Sequence, residues 1–595
     1  RVKMKLLPTL PLVAFLAAAA TAQNVIHPRH PSLPPMLFGR PAGGFLHSSY
    51  HVYNREVAAA GDDPYPWLIR GNFSQKYDHF SPLDTRKWKQ RFWNNPKFFD
   101  PKIINDGRDL IFLFIGGEGP ESDRWAAKED VMYLQWAKKF GANVFTLEHR
   151  FFGESRPIND MKTSSLRLLT TEQALADLAF FIESMNKVHG FRDPKWITFG
   201  GSYPGSLSAW FRSKYPELTV GAVASSAPLN LKLDFFEYAV VVDEVISETS
   251  QSCRRAVKDA FDEMQQLAIS TQGRDRLNRI FHLEPPFNNS TTKADINNFF
   301  ANIYNIFQGM IQYTYDGAND ATKTNLTASK LCEIMTKSDA VVNNVYDLYL
   351  WYSIFYPTAT ENPTQFANNY QDVVRTLGET NYSRMSDDTA SYRGWTWLCC
   401  NEIGFLQTTD AGRGIFGSTL PVNYFYDLCT DIFGDDIKAE FIRDRNREAK
   451  RYYGGEFGFE ATNLVLPNGL YDPWHALGYY PSKEEAKKNL LSVGTPGVAH
   501  CSDMYPPYPG EPEGLAFTRK FIEEALDRFI RNAEPTDAPP STATPSSQPS
   551  QETATLAVDS STVSMPPSTT SSSTTVVSSL FLLPAISHFM RLFQH

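Results

Sequence analysis

The amino-acid sequence predicts an α/β fold: a doubly wound, mostly parallel sheet interrupted by a mostly helical insertion. Four apolar runs closed by Gly or Pro occur in the first half of the chain: DLIFLFIGGEGPE, ANVFTLEHRFFGES, KWITFGGS and GAVASSAP. Runs of this kind fit strands that are buried on both faces of a parallel sheet. Because a helical pattern separates the second run from the third, strands and helices alternate, as in doubly wound folds.

That helical pattern is the segment TTEQALADLAFFIESMNKV. Leu175, Leu178 and Ile182 recur in it at the spacing of one helix face. Thr170 followed by Gln173 is the sequence of a capping box, in which each side chain binds the backbone N–H of the other residue. The helix is therefore predicted to begin just after Thr170.

The α/β pattern stops after residue 232 and returns near residue 445. Residues 233–444 are rich in aromatic residues and helical patterns, and five of the six cysteines fall there. The later part contains ATNLVLPNGLYDPW, NLLSVGTPGVAH and an amphipathic segment from Gly514 to about Ile530. We therefore predict a sheet domain in two parts, residues 71–232 and 445–532, with a helical cap at residues 233–444 inserted between them.

The N-terminal residues predict export. Arg1, Lys3 and Lys5 flank the start of an apolar run, and the small residues of Ala20–Ala22 suit cleavage, so residues 1–22 are expected to be a signal peptide. A membrane anchor is the alternative, although the apolar run is short for one. Residues 23–70 are rich in Pro, His and Gly and are expected to form an arm or propiece.

The C-terminal residues predict a stalk and a tail. Residues 533–578 consist largely of Ser, Thr and Pro, a composition typical of an O-glycosylated stalk. Residues 579–595 are an apolar tail of the kind found in GPI signals, although His588 and Arg591 interrupt it. GPI anchoring, plain secretion and a membrane span remain alternatives. The expected location is the secretory pathway, with an extracellular, lysosomal or GPI-anchored cell-surface destination.

Charge and cysteine spacing exclude several classes of function. The net charge is −9 without a basic stripe, so no nucleic acid partner is expected. No cysteine pair has CxxC spacing, and neither a metal nor a cofactor is expected.

Export favours disulfides and N-glycosylation. Acceptor triplets for glycosylation begin at Asn72, Asn288, Asn289, Asn325 and Asn381.

Ser202 lies at a predicted turn from strand to helix, in the segment WITFGGSYPGSLSAWF. This is the order of a nucleophile elbow, the turn that exposes a catalytic serine. Gly200 and Gly205 allow a tight turn and a close approach to the helix. Pro204 replaces the second glycine of the Gly-x-Ser-x-Gly pattern, and an ordinary turn of small residues is the alternative.

A serine nucleophile needs a base and a group that orients the base. In α/β hydrolases these follow the serine in the order Asp or Glu, then His. His500 follows the predicted strand NLLSV, and Asp472 follows TNLVLP, one strand earlier. His282 lies in the inserted region, and His475 is too close to Asp472 in the chain to be supported by it. The sequence therefore predicts a Ser202–Asp472–His500 triad.

Acyl transfer also needs N–H donors for the developing oxyanion. The candidates are the backbone N–H of Tyr203 and that of Gly117 in the segment GGEGPE, for which a simple Gly-rich turn is the alternative. Glu118 offers a carboxylate that can hold a peptide amine. Trp474 and Tyr203 are candidates to line a flat pocket for proline, although aromatic residues at such positions are as often core.

At these residues the chain resembles the prolyl-carboxypeptidase-like serine peptidases. That family includes lysosomal Pro-X carboxypeptidase, dipeptidyl peptidase II and the thymus-specific serine protease. The resemblance extends over about residues 70–532. The segments that carry it are FSQKYDHFSP, QRFWNN, GGEGP, EHRFFGES, GGSYPG, NGLYDPW and AHCSDMYPP.

The resemblance implies an α/β-hydrolase fold with an inserted helical cap. It implies that Ser202 is the nucleophile, Asp472 the orienting group and His500 the base, and that the enzyme cleaves short peptides after proline from one terminus or the other. Cys399 and Cys501 would be free or paired with each other. The remaining four cysteines would form two disulfides, Cys253–Cys332 and Cys400–Cys429.

Two departures favour the thymus-specific branch of this family. Pro204 and Cys501 stand where the Pro-X carboxypeptidases and dipeptidyl peptidase II carry Gly and a second His. The leading hypothesis is a secreted serine exopeptidase, a carboxypeptidase or a dipeptidyl peptidase, with short peptides as substrates. The alternatives are a lipase or esterase that uses the same triad and a catalytically silent surface binding protein. A homodimer is one candidate oligomeric state.

Overall fold

The apolar runs of the sequence form the strands of one large sheet. In the computed structural model, residues 33–42, 63–314, 325–355, 364–412 and 414–532 are described. The predicted signal peptide, stalk and apolar tail lie outside these residues. All described residues belong to one structural unit, residues 1–543, and a second unit, residues 544–595, contains none of them.

Twelve strands occur in the described part of the chain. Eight belong to the main sheet, and four short ones form two separate pairs, β1 with β2 and β9 with β10. The strands are β1 (Met36–Leu37), β2 (Arg40–Pro41), β3 (Ile69–Lys76), β4 (Lys87–Asn95), β5 (Leu110–Ile115), β6 (Asn143–Leu147), β7 (Lys195–Gly201), β8 (Gly221–Ser225), β9 (Leu283–Glu284), β10 (Phe366–Ala367), β11 (Leu464–Gly469) and β12 (Leu490–Thr495).

The main sheet has the strand order β3-β4-β6-β5-β7-β8-β11-β12. β4 runs antiparallel to both of its neighbours, whereas the pairs from β6 to β12 are parallel. Eight strands in this order, with the second antiparallel, are the arrangement of the α/β-hydrolase fold. The predicted fold class is therefore confirmed.

Helices connect the strands and fill the region between β8 and β11. They are α1 (Pro101–Ile104), α2 (Asp123–Ala127), α3 (Met132–Phe140), α4 (Thr163–Leu166), α5 (Thr171–His189), α6 (Tyr203–Lys214), α7 (Glu237–Thr249), α8 (Gln251–Ile269), α9 (Thr271–Phe281), α10 (Lys293–Gln312), α11 (Ala328–Met335), α12 (Val341–Ser353), α13 (Tyr370–Gly378), α14 (Asp387–Leu398), α15 (Val422–Phe433), α16 (Ala439–Tyr453), α17 (Lys483–Ala486) and α18 (Glu513–Arg531). A π-helical turn, Cys399–Ile403, follows α14, and short 3₁₀ helices occur at Pro216–Leu218, Tyr382–Arg384, Pro473–Leu477 and Ser502–Met504.

The sheet is covered on both faces, which explains its continuous apolar runs. Along β5, Ile111 and Leu113 belong to a core that includes α5 and α6, whereas Phe112 and Phe114 belong to a second core that includes α3 and α18. Successive side chains of a strand point to opposite faces. Because each face is packed against helices, both alternating sets must be apolar, and the strand shows no polar alternation.

Helix α5 begins where the sequence predicts, but only half of the predicted capping box forms. The side chain of Thr170 accepts a hydrogen bond from the backbone N–H of Gln173. The side chain of Gln173 instead accepts from the N–H of His79 at 3.1 Å and donates to Asp78 at 2.6 Å. Tertiary partners near β3 therefore compete successfully for the second residue of the box.

The chain between β8 and β11 is mostly helical and contains two disulfides, Cys253–Cys332 and Cys400–Cys429, the pairs that the resemblance implies. Cys399 and Cys501 are both free and buried. Element bounds differ slightly from the predicted domain limits. β3 begins at Ile69 rather than at residue 71, and α16 continues to Tyr453, where Gly454 in a left-handed conformation ends it.

The surface of the described residues gives two further observations. All five asparagines of the predicted glycosylation triplets are exposed. Among the helices that the structure describes, none combines the length and the apolar character needed to cross a bilayer.

Candidate active site

Ser202 occupies the sharp turn between β7 and α6. Its backbone has φ 61° and ψ −132°, a combination that residues other than glycine adopt only at a cost of about 1–3 kcal/mol. Its N–H donates to the carbonyl of Ser225 at 2.9 Å, and its carbonyl accepts from the N–H of Ser206 at 3.0 Å. The turn is thus held on both sides, and Ser202 remains partly exposed while the residues around it in the chain are buried.

Small residues make this turn possible. A Cβ atom on Gly200 would lie 2.1 Å from the carbonyl oxygen of Pro204, and one on Gly205 would lie 2.8 Å from that of Ser225. Both distances are too short for a side chain, so these positions require glycine. Pro204 occupies the first turn of α6, where a missing N–H costs no helical hydrogen bond. The departure from the Gly-x-Ser-x-Gly pattern is therefore compatible with the turn.

Asp472 and His500 are paired and fully buried. Nδ1 of His500 donates to Oδ2 of Asp472 at 2.7 Å, and both side chains are 0% exposed. The other carboxylate oxygen of Asp472 accepts the N–H of Trp474 at 3.0 Å. Because Nδ1 carries the proton in this pair, Nε2 of a neutral His500 is the basic nitrogen.

The His500 loop packs directly against the serine turn. The N–H of Cys501 donates to Oγ of Ser226 at 2.9 Å, and Sγ of Cys501 lies 3.8 Å from the carbonyl oxygen of Ser225. A Cβ atom on Gly201 would lie 3.0 Å from the same sulfur. Ser202, Asp472 and His500 thus come from the ends of β7, β11 and β12 at one edge of the sheet, where open α/β sheets place their sites.

The two other histidines that the sequence offers as alternatives to His500 do not form a pair with Asp472 like that of His500. His282 is exposed at the end of α9 in the inserted region. Nδ1 of His475 lies 3.2 Å from the hydroxyl of Tyr480, and burial lowers the pKa of His475.

The GGEGPE loop lies against the start of α6. A Cβ atom on Gly117 would lie 2.6 Å from the ring of Pro204. The backbone N–H groups of Gly117 and Tyr203 therefore belong to adjacent loops, and Tyr203 begins a helix whose N-terminus favours negative charge. Glu118 is buried, and burial raises the pKa of its carboxyl group while the charges of Arg40 and His500 oppose that rise.

The two candidate pocket aromatics are core residues here. Trp474 is 2% exposed and packs against Phe235 and Phe405, with ring centroids 5.6 and 5.2 Å away. The ring of Tyr203 is also buried, and its hydroxyl lies 3.1 Å from Nε2 of His149. A proline pocket on either ring would require some neighbouring atoms to move.

Gln312, the last residue of α10, connects the site in a way that the sequence did not indicate. Its carbonyl accepts the N–H of His500 at 3.0 Å. Its side-chain oxygen accepts from Nε1 of Trp474 at 3.1 Å and from the hydroxyl of Tyr238 at 2.6 Å. A lone glutamine carries no motif, so only the packing of α10 onto the His500 loop reveals it.

Asp503 is a second residue that sequence reasoning missed. Its Oδ2 accepts a hydrogen bond from Oγ of Ser225 at 2.6 Å beneath the serine turn. Burial raises the pKa of Asp503 to about 6, although Ser225 and Arg519 oppose the rise. The segment AHCSDMYPP contains it, but nothing in that segment distinguishes it from a surface aspartate.

Comparison with known proteins identifies the family. The family described as Serine carboxypeptidase S28 matches residues 75–522. A Caenorhabditis elegans protein named as a serine protease is 52% identical over 512 residues, which cover 85% of this chain and 93% of that protein. The human thymus-specific serine protease is 29% identical over 78% of this chain and 87% of its own length. The bovine lysosomal Pro-X carboxypeptidase is 27% identical over 77% of this chain and 87% of its own length. The chain therefore belongs to the S28 serine carboxypeptidase family and is a serine-type peptidase.

Proposed function

We propose that Ser202, Asp472 and His500 are the catalytic triad of a secreted exopeptidase that hydrolyses short peptides after proline. The observation that carries the proposal is the 2.7 Å bond between His500 and Asp472, in a loop packed against the strained turn of Ser202. A buried carboxylate on Nδ1 orients the imidazole and leaves its second nitrogen basic. A strained serine turn has a function in this arrangement, because it presents the hydroxyl to the substrate.

The proposed reaction proceeds through an acyl-enzyme. His500 takes the proton of Ser202 as the serine oxygen bonds to the peptide carbonyl carbon, and then gives that proton to the departing amine as the C–N bond breaks. Water, deprotonated by His500, then releases the acid product and restores Ser202. The N–H groups of Tyr203 and Gly117 stabilise the oxyanion in both steps. The side chain of Asp472 orients the imidazole and stabilises the imidazolium.

Specificity for proline is proposed from the relatives, because one of them bears Pro-X carboxypeptidase in its name. Glu118 supports a peptide rather than a lipid substrate. A buried carboxyl group beside the site can hold a peptide amine, whereas an acyl lipid offers it no partner. The termini of the chain support an exported enzyme with a lysosomal or extracellular destination. GPI attachment stays a separate hypothesis that rests on residues 579–595.

The direct test is Ser202→Ala. Loss of a triad serine typically lowers turnover by about 10⁶-fold. We expect peptide hydrolysis to be abolished and labelling by a fluorophosphonate probe to disappear, with the melting temperature maintained because alanine keeps the Cβ atom and adopts the same turn. Ser206→Ala in α6 is the matched control, since the hydroxyl of Ser206 donates to the carbonyl of Pro228 at 2.9 Å.

A panel of Xaa-Pro-Yaa peptides, blocked at either end, then separates the possible specificities. Cleavage that requires a free carboxyl terminus identifies a carboxypeptidase, and cleavage that requires a free amine identifies a dipeptidyl peptidase. Good hydrolysis of a fatty-acyl ester without cleavage of any peptide would support the lipase alternative. A Ser202→Ala protein with near wild-type turnover would eliminate the triad assignment.

A further inference from the structure

Residues 33–42, called here the N-terminal segment, are buried along their whole length. The segment is a small hairpin in which β1 pairs with β2. Phe38 and Gly39 form its turn with φ values of 48° and 69°, as in the two-residue turns that favour hairpins. A Pro-rich arm that only linked a leader to the sheet would be expected on the surface. The burial of the N-terminal segment therefore requires an explanation.

One side of the N-terminal segment is held by helix α14. Nε1 of Trp395 donates to the carbonyl of Phe38 at 3.0 Å, and the hydroxyl of Tyr392 donates to that of Pro34 at 3.2 Å. Asp388 forms an ion pair with Arg40 at 3.1 Å. Two of these contacts involve only backbone atoms of the segment, and every peptide offers backbone carbonyls of this kind.

The other side of the N-terminal segment touches the candidate active site. Nε2 of Gln312 donates to the carbonyl of Gly39 at 3.1 Å, and the carbonyl of the same Gln312 holds the backbone of His500. A Cβ atom on Gly39 would lie 2.3 Å from the ring of Trp474. Nε of Arg40 donates to the carbonyl of Glu118 at 2.8 Å. The segment thus covers Trp474 and Glu118, which are two of the residues that the sequence predicts to bind substrate.

The contacts are those of a bound peptide. Side-chain donors bind the main-chain carbonyls of Pro34, Phe38 and Gly39, and aromatic rings lie against two side chains of the segment. The ring of Phe38 lies 5.6 Å from that of Phe425, and the guanidinium of Arg40 lies 4.6 Å from the ring of Tyr392. The same cleft includes a cavity that is lined by Leu37, Gln407 and Phe425 among others. Main-chain bonds with pockets for individual side chains are the general pattern of peptide recognition.

We infer that the cleft between α14 and the Gln312–His500 contact is the peptide-binding site, and that the N-terminal segment occupies it as an intramolecular inhibitor. The inference rests on the proposed peptidase function of the same site. Peptide substrates enter when the segment leaves the cleft. Trp395, Tyr392 and Gln312 then bind the main chain of the substrate.

The test uses the full chain with a recognition sequence for a specific endoprotease inserted within residues 43–62. We expect hydrolysis of a short peptide to rise at least tenfold after cutting, and the released segment to be found by mass spectrometry. A scrambled insert of equal length is the control and should not respond to the endoprotease. If the cut chain retains the segment, the double variant Phe38→Ala/Arg40→Ala of the same cut chain must release it and show the increase.

A synthetic peptide of residues 33–42 provides the second measurement. We expect it to inhibit the cut enzyme competitively, and the same peptide with Arg40→Ala to inhibit at least tenfold more weakly, because the contacts with Asp388 and Glu118 are lost. Arg86→Ala in the cut enzyme is a control. Its inhibition by the peptide should equal that of the unchanged cut enzyme, since Arg86 pairs with Asp84 on the surface.

Fluorophosphonate labelling of Ser202 separates the two hypotheses. Labelling of the cut chain, with equal peptide hydrolysis before and after segment release or with no inhibition by the peptide, overturns this inference and leaves the triad intact. Absence of both labelling and hydrolysis in every form overturns the proposed function instead.

Discussion

Single residues around Ser202 show how burial prepares the site. His149 lies beneath the serine turn, where its Nδ1 is 2.8 Å from the carbonyl of Arg150 and its Nε2 is 3.1 Å from the hydroxyl of Tyr203. A carbonyl can only accept, so Nδ1 carries the proton and Nε2 accepts from Tyr203. Burial lowers the pKa of His149 to about 4. The neutral form therefore supports the first residue of α6.

The pH dependence of stability tests this assignment. The pKa of His149 is about 4 in the folded state, below the ordinary value of 6.5, so the unfolded chain binds more protons between these pH values. The contribution of neutral His149 to the free energy of unfolding is complete above pH 6.5. It is lost as the pH falls through about 4, and the total loss is about 3 kcal/mol. We expect His149→Gln, which keeps a donor and an acceptor, to lose less stability than the wild type on acidification.

The measurement is urea unfolding at pH 7 and pH 4.5 for both proteins. His282→Gln, at an exposed histidine, is the matched control and should retain the wild-type pH dependence. Equal acid sensitivity of His149→Gln and the wild type would contradict the assignment.

Helices of the inserted region are held together by covalent bonds as well as by packing. The Cys253–Cys332 disulfide joins α8 to α11 across 79 residues, and Cys400–Cys429 joins the π-helical turn to α15 across 29 residues. All four cysteines are buried among apolar side chains. Since a crosslink restricts the unfolded chain more when its loop is longer, the first bond should contribute more to stability.

Removal of each disulfide in turn tests which of the two bonds contributes more to stability. In the chain-entropy model the longer loop contributes about 4.5 kcal/mol and the shorter about 3.5 kcal/mol. We expect Cys253→Ser/Cys332→Ser to lower the melting temperature more than Cys400→Ser/Cys429→Ser does, when both are measured by calorimetry without reductant. Equal melting temperatures for the wild type and both double variants would show that neither bond supports the fold. The wild type with reductant is the control for both.

The molecule as a whole depends on contacts between the inserted helices and the sheet. Glu402, in the π-helical turn after α14, accepts the N–H of Thr171 at 2.9 Å and also the hydroxyl of that residue. Thr171 is the first residue of α5, whose initial N–H groups have no partner within the helix. The hydroxyl of Thr171 also lies 2.5 Å from that of Tyr453. One carboxylate therefore caps a helix of the sheet domain from within the inserted region.

Substitution of Glu402 tests this connection. Glu402→Ala leaves a buried N–H without its acceptor, which costs about 1–3 kcal/mol. Glu402→Gln keeps a side-chain oxygen, and we expect it to lose less stability than Glu402→Ala does. Urea unfolding midpoints of the wild type and both variants give the comparison. A Glu402→Ala protein as stable as the wild type would show that the contact adds nothing.

The sequence predicted the local features of this fold well, because they depend on neighbouring residues. The apolar runs became strands, Thr170 capped α5, and Ser202 lies at the turn between β7 and α6. The predicted partners Asp472 and His500 are in hydrogen-bond contact. Their roles in catalysis stay predictions, as does the division into domains.

Periodicity, glycine placement and chain order thus determined the fold class and pointed to the three candidate catalytic residues, since each reflects interactions over a few residues or a fixed strand sequence. Tertiary packing alone decided that Gln312 supports His500, that Asp503 lies beneath the serine turn, and that residues 33–42 cover Glu118 and Trp474. These contacts join residues up to several hundred positions apart. No spacing rule links such residues, because only the folded chain brings them within hydrogen-bond distance.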